Sequence, residues 1–202
     1  MNDPELTRRR LIELGLALPP AALLLGEIAD ATAATLQATP ACDDGDEDPT
    51  LAQTEGPYFS PGSPRRRSLL APGLTGTRLT LTGRVLSTRC RPVPRALLSF
   101  WQCDARGVYD NVGFRLRGHQ LTDARGRYRL ETIVPGIYPG RTRHIHVKAQ
   151  APRRPVLTTQ LYFPGEARNR SDGIYDSDLL LRGWRRVGNR RVARFDFVLE
   201  PS

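Results

Sequence analysis

Arg78-Leu-Thr-Leu-Thr-Gly-Arg-Val85 decides the fold class. Leu79, Leu81 and Val85 fall on one side of an extended chain and Thr80, Thr82 and Arg84 on the other, the period-two pattern of a strand with one face in a core. Outward from this stretch, shorter runs of similar character occur at 96–103, 128–133, 144–150, 157–162 and 192–199. Clusters of Gly, Pro, Asp and Asn separate them, as turns require. No helical period is sustained in this part of the chain. The expectation is an all-β, single-domain β-sandwich of mostly antiparallel strands, with functional residues at strand ends and in loops.

The composition agrees. A chain of 202 residues with 39% hydrophobic content, 18 Gly and 17 Pro suits one turn-rich globular domain with a full core. The formal charge of +9 is carried almost wholly by arginine, Lys148 being the sole lysine. These arginines are scattered through turns and strands, with one run at Arg65 to Arg67 and no interleaved aromatics on which bases could stack. The pattern reads as a solvated basic surface that attracts anionic aromatic molecules, with no nucleic-acid partner. Cys42, Cys90 and Cys103 lack the CxxC spacing of a zinc or redox site and allow one disulfide plus a spare thiol, the pairing being open.

Thr7-Arg8-Arg9-Arg10-Leu11-Ile12 sets an arginine cluster before a mostly apolar run reaching Leu25. That run spans about 15 residues, short of the roughly 20 needed for a membrane helix, and the small residues Ala29 to Ala34 follow it. It resembles a twin-arginine export signal, which implies a periplasmic or extracellular destination and no transmembrane span in the mature protein. The expected division is a signal segment at 1–35, an acidic linker at 36–53 and the sandwich domain at 54–202.

Two of the three histidines form His144-Ile145-His146 within a strand-like run, so alternation puts both imidazoles on one face. Such a pair suits iron, copper or zinc, and its bland alternative is two hydrogen-bonded histidines on a sheet. No carboxylate is placed to complete a ferrous triad. Tyrosine is the other donor to consider, since a phenolate is a hard anionic oxygen that favours iron(III). Tyr138 sits in the stiff segment Pro135-Gly-Ile-Tyr138-Pro139-Gly140. Tyr109 and Tyr128 close two copies of one turn, Asp104-Ala-Arg-Gly107-Val-Tyr109 and Asp123-Ala-Arg-Gly126-Arg-Tyr128, and spacing does not choose between them. His119 has no companion at metal spacing and reads as a surface or turn histidine.

Taken in order, Thr54-Glu55-Gly56-Pro57-Tyr58-Phe59, Trp101-Gln-Cys-Asp104-Ala-Arg-Gly107-Val-Tyr109, Tyr138-Pro-Gly-Arg141-Thr-Arg-His144-Ile-His146 and Thr158-Thr-Gln160-Leu-Tyr162-Phe163 resemble the intradiol ring-cleavage dioxygenases. That family includes the catechol, protocatechuate and hydroxyquinol dioxygenases. The resemblance implies iron(III) held by Tyr109, Tyr138, His144 and His146, with Tyr138 as the axial phenolate that leaves the metal when substrate binds. It implies that Arg141 stabilises negative charge on the substrate ring, that Gln160 lines the pocket and that Tyr58 contributes a wall. It selects Tyr109 over Tyr128, which is left to the core.

The reaction so implied opens a catechol with O2 between its two hydroxylated carbons, giving a muconate-type diacid. The partners are a small aromatic diol and dioxygen. The loop 109–118 is expected at the pocket mouth. Too few residues precede Glu55 for the helical dimerisation region common in the family's catechol enzymes, and the sequence sets neither an oligomeric state nor the particular catechol. Two other readings stand beside this one: a secreted sandwich that binds sugar or protein, and a copper or zinc site of different chemistry.

Overall fold

A computed structural model describes residues 48–200. The signal segment expected at 1–35, Cys42 and most of the expected linker lie outside the described residues. Two sheets form an all-β sandwich. One holds β1 (Arg78–Ser87), β4 (Arg127–Ile133), β7 (Arg182–Val187), β8 (Arg190–Arg194) and β9 (Phe197–Leu199), in the order β4-β1-β8-β7 with β9 also paired to β1. The other holds β2 (Leu97–Trp101), β3 (Arg117–Leu121), β5 (His144–Gln150) and β6 (Leu157–Tyr162), in the order β3-β2-β5-β6. Pairing is antiparallel except where β1 meets β8 and β9, which run parallel to it.

The alternation that defined β1 packs the core. Leu79, Leu81 and Val85 are buried, and they meet Leu98 and Phe100 of β2, Leu130 of β4, Ile145 and Val147 of β5 and Leu161 of β6 in one cluster. Each such side chain contributes roughly 1.5–3 kcal/mol by leaving water. Two strands escaped the sequence reading. β3, Arg-Gly-His-Gln-Leu, has no apolar alternation, and β7, Arg-Gly-Trp-Arg-Arg-Val, is a largely exposed edge strand. The run expected at 192–199 is broken into β8 and β9, because Asp196 turns inward to accept the Arg84 backbone N–H at 2.7 Å.

His119 departs from its expected place in a turn: it lies within β3, half-buried, with Nδ1 2.6 Å from the Ser63 carbonyl. Residues 50–53 already pair with the sandwich, the Thr50 N–H donating to Val198 O and the Gln53 N–H to Thr158 O. Cys90 is disulfide-bonded and Cys103 is a free, buried thiol. Burial pushes that thiol up to about 11, so it stays protonated and unreactive near neutrality. Among the described residues no helix is long and apolar enough to cross a membrane.

Candidate metal centre

The site lies on the face of the β3-β2-β5-β6 sheet turned away from the core. Along β5, Ile145, Val147 and Ala149 enter the core, so alternation sends His144 and His146 to the other side. One cross-strand row carries the site: Arg117 of β3 pairs with Trp101 of β2, Trp101 with His146 of β5, and His146 with Gln160 of β6. All four are buried, on a face that would otherwise meet water. Tyr58 and Phe59, the Tyr109 turn and Tyr138 cover it. Phe59 packs edge-on against Trp101, whose indole stacks on the His146 ring at 4.8 Å.

Close backbone packing brings the two tyrosine segments together. Gly107 adopts φ 86°, and a Cβ there would sit 2.3 Å from the Ile137 carbonyl oxygen. A Cβ on Gly136 would lie 2.3 Å from the Gly107 nitrogen, and the Gly136 N–H donates to Asp104 O at 2.7 Å. The turn ending in Tyr109 thus lies directly on the segment leading to Tyr138.

The repeated turn shows why Tyr109 and Tyr128 part company. Asp104 and Asp123 use the same carboxylate pattern, accepting backbone N–H bonds from Arg106 and Val108 and from Arg125 and Arg127 respectively. The second turn feeds β4, where the Tyr128 hydroxyl donates to the Phe195 carbonyl at 2.9 Å inside the core. The first leads to the His pair, with the Tyr109 oxygen 3.4 Å from His144 Nε2.

Three donor atoms therefore converge, since His144 Nε2 and His146 Nε2 are 3.1 Å apart. His144 Nδ1 is 2.7 Å from the Thr142 carbonyl, which can only accept. Its proton therefore sits on Nδ1, and the Nε2 lone pair points into the site. Burial pushes His144 down to about 4 and His146 well below its ordinary value, so both rings are neutral at physiological pH, as metal ligation requires. Burial also raises the Tyr109 phenol, so a phenolate there calls for an adjacent cation.

Tyr138 joins through the third tyrosine. Its oxygen is 2.9 Å from that of Tyr58, whose ring stacks on Tyr109 at 4.3 Å and 11°. The Tyr109 and Tyr138 rings meet edge to face at 5.9 Å. No group of three or more His, Cys, Asp or Glu able to hold a metal occurs among the described residues. The groups that could hold a metal are instead the two imidazoles and the Tyr109 phenol, with the Tyr138 phenol packed beside Tyr109.

Arg141 is oriented by Gln160, which the sequence singled out, and by Asp172, which it did not. Its Nε donates to Asp172 at 2.9 Å, and its Nη2 donates to Gln160 Oε1 at 2.6 Å and to the Tyr162 hydroxyl at 3.4 Å. Asp172 also accepts the Thr142 N–H at 2.8 Å. Burial works against the Asp172 carboxylate, but the N–H bonds of Thr142 and Ile174 and the Arg141 charge keep it below its ordinary value. Gln160 is committed on both sides, accepting from Arg141 and donating to the Thr54 carbonyl at 2.8 Å. Asp172 lies in a loop 31 residues after Arg141, where no periodicity could flag it.

A two-sheet sandwich carrying this cluster of His and Tyr on its outer face marks a β-sandwich oxidoreductase. The chain belongs to the intradiol ring-cleavage dioxygenase family: the family profile described as Dioxygenase matches residues 54–201. Hydroxyquinol 1,2-dioxygenase of Nocardioides simplex is 28% identical over 87% of this chain and 73% of its own. Protocatechuate 3,4-dioxygenase beta chain of Burkholderia cepacia is 36% identical over half of each chain. Across the curated relatives the alignments span from about half to about three quarters of their length. Among solved structures, the dioxygenase domain of a dioxygenase and carbohydrate-binding fusion from Streptomyces sp. SirexAA-E superposes with TM-score 0.75 and 57% identity, covering 77% of this chain and all of that one. 3-Chlorocatechol 1,2-dioxygenase of Rhodococcus opacus 1CP gives TM-score 0.70 and 27% identity, covering 76% of this chain and 73% of its own.

Proposed function

We propose that the protein is a non-haem iron(III) intradiol dioxygenase that cleaves a catechol-type ring between its hydroxylated carbons with O2, releasing a muconate-type diacid. The observation that carries this reading is the convergence of the Tyr109 oxygen, His144 Nε2 and His146 Nε2, with Tyr138 against Tyr109. The relatives' activities on hydroxyquinol, catechol and protocatechuate support it.

Tyr109, Tyr138, His144 and His146 would hold the metal. Bound there, iron(III) would supply Lewis acidity and an electron acceptor that makes a chelated catecholate reactive toward dioxygen. The chain's own residues do the rest. The Tyr138 oxygen, hydrogen-bonded to Tyr58, would act as the base that takes a catechol proton. The Arg141 guanidinium, fixed by Asp172 and Gln160, presents a permanent positive charge to a substrate ring that gains negative character. Trp101 and Phe59 close one side of the His146 ring against water.

The twin-arginine pattern supports export of the chain to the periplasm or beyond, with 1–35 as signal and the linker expected at 36–53 giving way to the catalytic domain by Thr50, whose N–H donates to Val198 O. Export in the folded state fits a protein whose metal is acquired first.

Purified protein would be assayed for iron, for a tyrosinate-to-iron(III) visible band, and for oxygen uptake with catechol, protocatechuate, hydroxyquinol and chlorocatechols, with products followed in the ultraviolet. Diacid formation is expected with at least one of them. Absence of iron and of oxygen uptake across the panel would overturn the reading.

A further inference from the structure

Arg117 is 1% exposed, yet among the described residues its guanidinium bonds to carbonyl oxygens alone. Nε and Nη2 donate to the Asp110 carbonyl at 3.1 and 2.7 Å, and Nη1 donates to the Tyr58 carbonyl. The Asp110 carboxylate is occupied elsewhere, accepting the backbone N–H groups of Val112, Gly113 and Arg115. A buried cation without a bonded counter-charge is costly, and such costs persist where they serve a site.

The location supplies the service. Asp110 follows Tyr109 directly, and the other carbonyl belongs to Tyr58, the residue whose ring stacks on Tyr109. One guanidinium therefore staples the two segments that present the stacked pair. It stands at the end of the row that runs through Trp101 to His146. Arg66 secures the backbone of Arg117, its Nε donating to the Arg117 carbonyl at 3.0 Å.

We propose that Arg117 is a positioning residue for Tyr109: it fixes the backbone on both sides of the Tyr58–Tyr109 stack and supplies a fixed positive charge beside the Tyr109 phenolate. This rests on the proposed iron site, with Tyr109 as ligand. Two parts follow, a mechanical clamp and a charge, and two substitutions separate them. Arg117→Lys keeps the charge but loses the planar fork that reaches both carbonyls. Arg117→Gln keeps a donor and loses the charge.

The clamp is measured on the metal-free full chain by amide hydrogen exchange. Arg117→Lys is expected to speed exchange in both 56–59 and 108–113, and to weaken iron retention by roughly tenfold or more. Unchanged exchange in either segment overturns the clamp. The charge is measured on iron-loaded protein: losing a cation near the phenolate raises its donor level, so Arg117→Gln moves the tyrosinate-to-iron band to longer wavelength. A band at the wild-type position overturns the charge. If wild-type protein binds no iron and shows no band, the iron reading fails, while exchange in the metal-free chain still decides the clamp.

Discussion

The Nε2 atoms of His144 and His146 face each other across 3.1 Å, in rings that burial keeps neutral. The metal-free protein should therefore be acid-sensitive. His144 is pushed down to about 4 from an ordinary 6.5, so between those values the unfolded chain binds a proton that the folded chain refuses. Stability is level above the ordinary value and falls as pH drops toward 4, by on the order of 3 kcal/mol for this one group. His146, shifted the same way, adds to the loss. Urea melts of metal-free protein at several pH values in this window test it; a midpoint independent of pH would show that the rings protonate without cost.

Tyr109 and Tyr128 close the same turn but should respond oppositely to loss of the hydroxyl. Tyr109→Phe removes an oxygen from the donor cluster and should abolish much of any iron(III) colour, with little change in thermal stability. Tyr128→Phe removes the bond to the Phe195 carbonyl and should cost about 1–2 kcal/mol while leaving the colour intact. Colour lost in Tyr128→Phe and kept in Tyr109→Phe would reverse the assignment.

What the sequence could and could not disclose follows from where each signal lives. Apolar alternation made β1, β4, β5 and β6 legible, because one face of each lies in the core. β3 was invisible because its buried residues include Arg117 and Gln120, which period-two hydrophobicity does not register. His144 and His146 were visible as a same-face pair. The approach of Tyr109 to Tyr138 depended on Gly107 and Gly136 permitting backbone contact, a long-range event without a local signature. Asp172 and the committed state of Gln160 were hidden for the same reason.

Asp172→Asn should separate positioning from metal binding. The side chain is 2% exposed and holds both the Arg141 guanidinium and the Thr142 N–H. Asparagine preserves the shape and loses the charge that orients Arg141. Catalytic efficiency on the substrate found in the panel is expected to fall by about ten- to a hundredfold, with iron content and the visible band unchanged. An efficiency equal to wild type would show that Arg141 needs no carboxylate to hold its place.

Gly107→Ala should uncouple the two tyrosine segments. The position has φ 86°, and the added methyl would lie 2.3 Å from the Ile137 carbonyl oxygen, a contact with backbone that no rotamer relieves. The conformational penalty alone is about 1–3 kcal/mol, and the clash adds to it unless the turn lifts away from 135–138. Lifting would move Tyr109 from Tyr138, so metal affinity should fall more than stability does. Gly126→Ala is the matched comparison: Gly126 also has positive φ, 69°, with an added Cβ 2.5 Å from the Val85 carbonyl oxygen, but it lies in the turn that feeds the core. Melting temperature and iron affinity measured on both variants discriminate them. Gly126→Ala is expected to lose stability and keep its metal, and Gly107→Ala to lose both; equal iron affinity in the two would mean that the approach of Gly107 to Ile137 has no part in bringing Tyr109 and Tyr138 together.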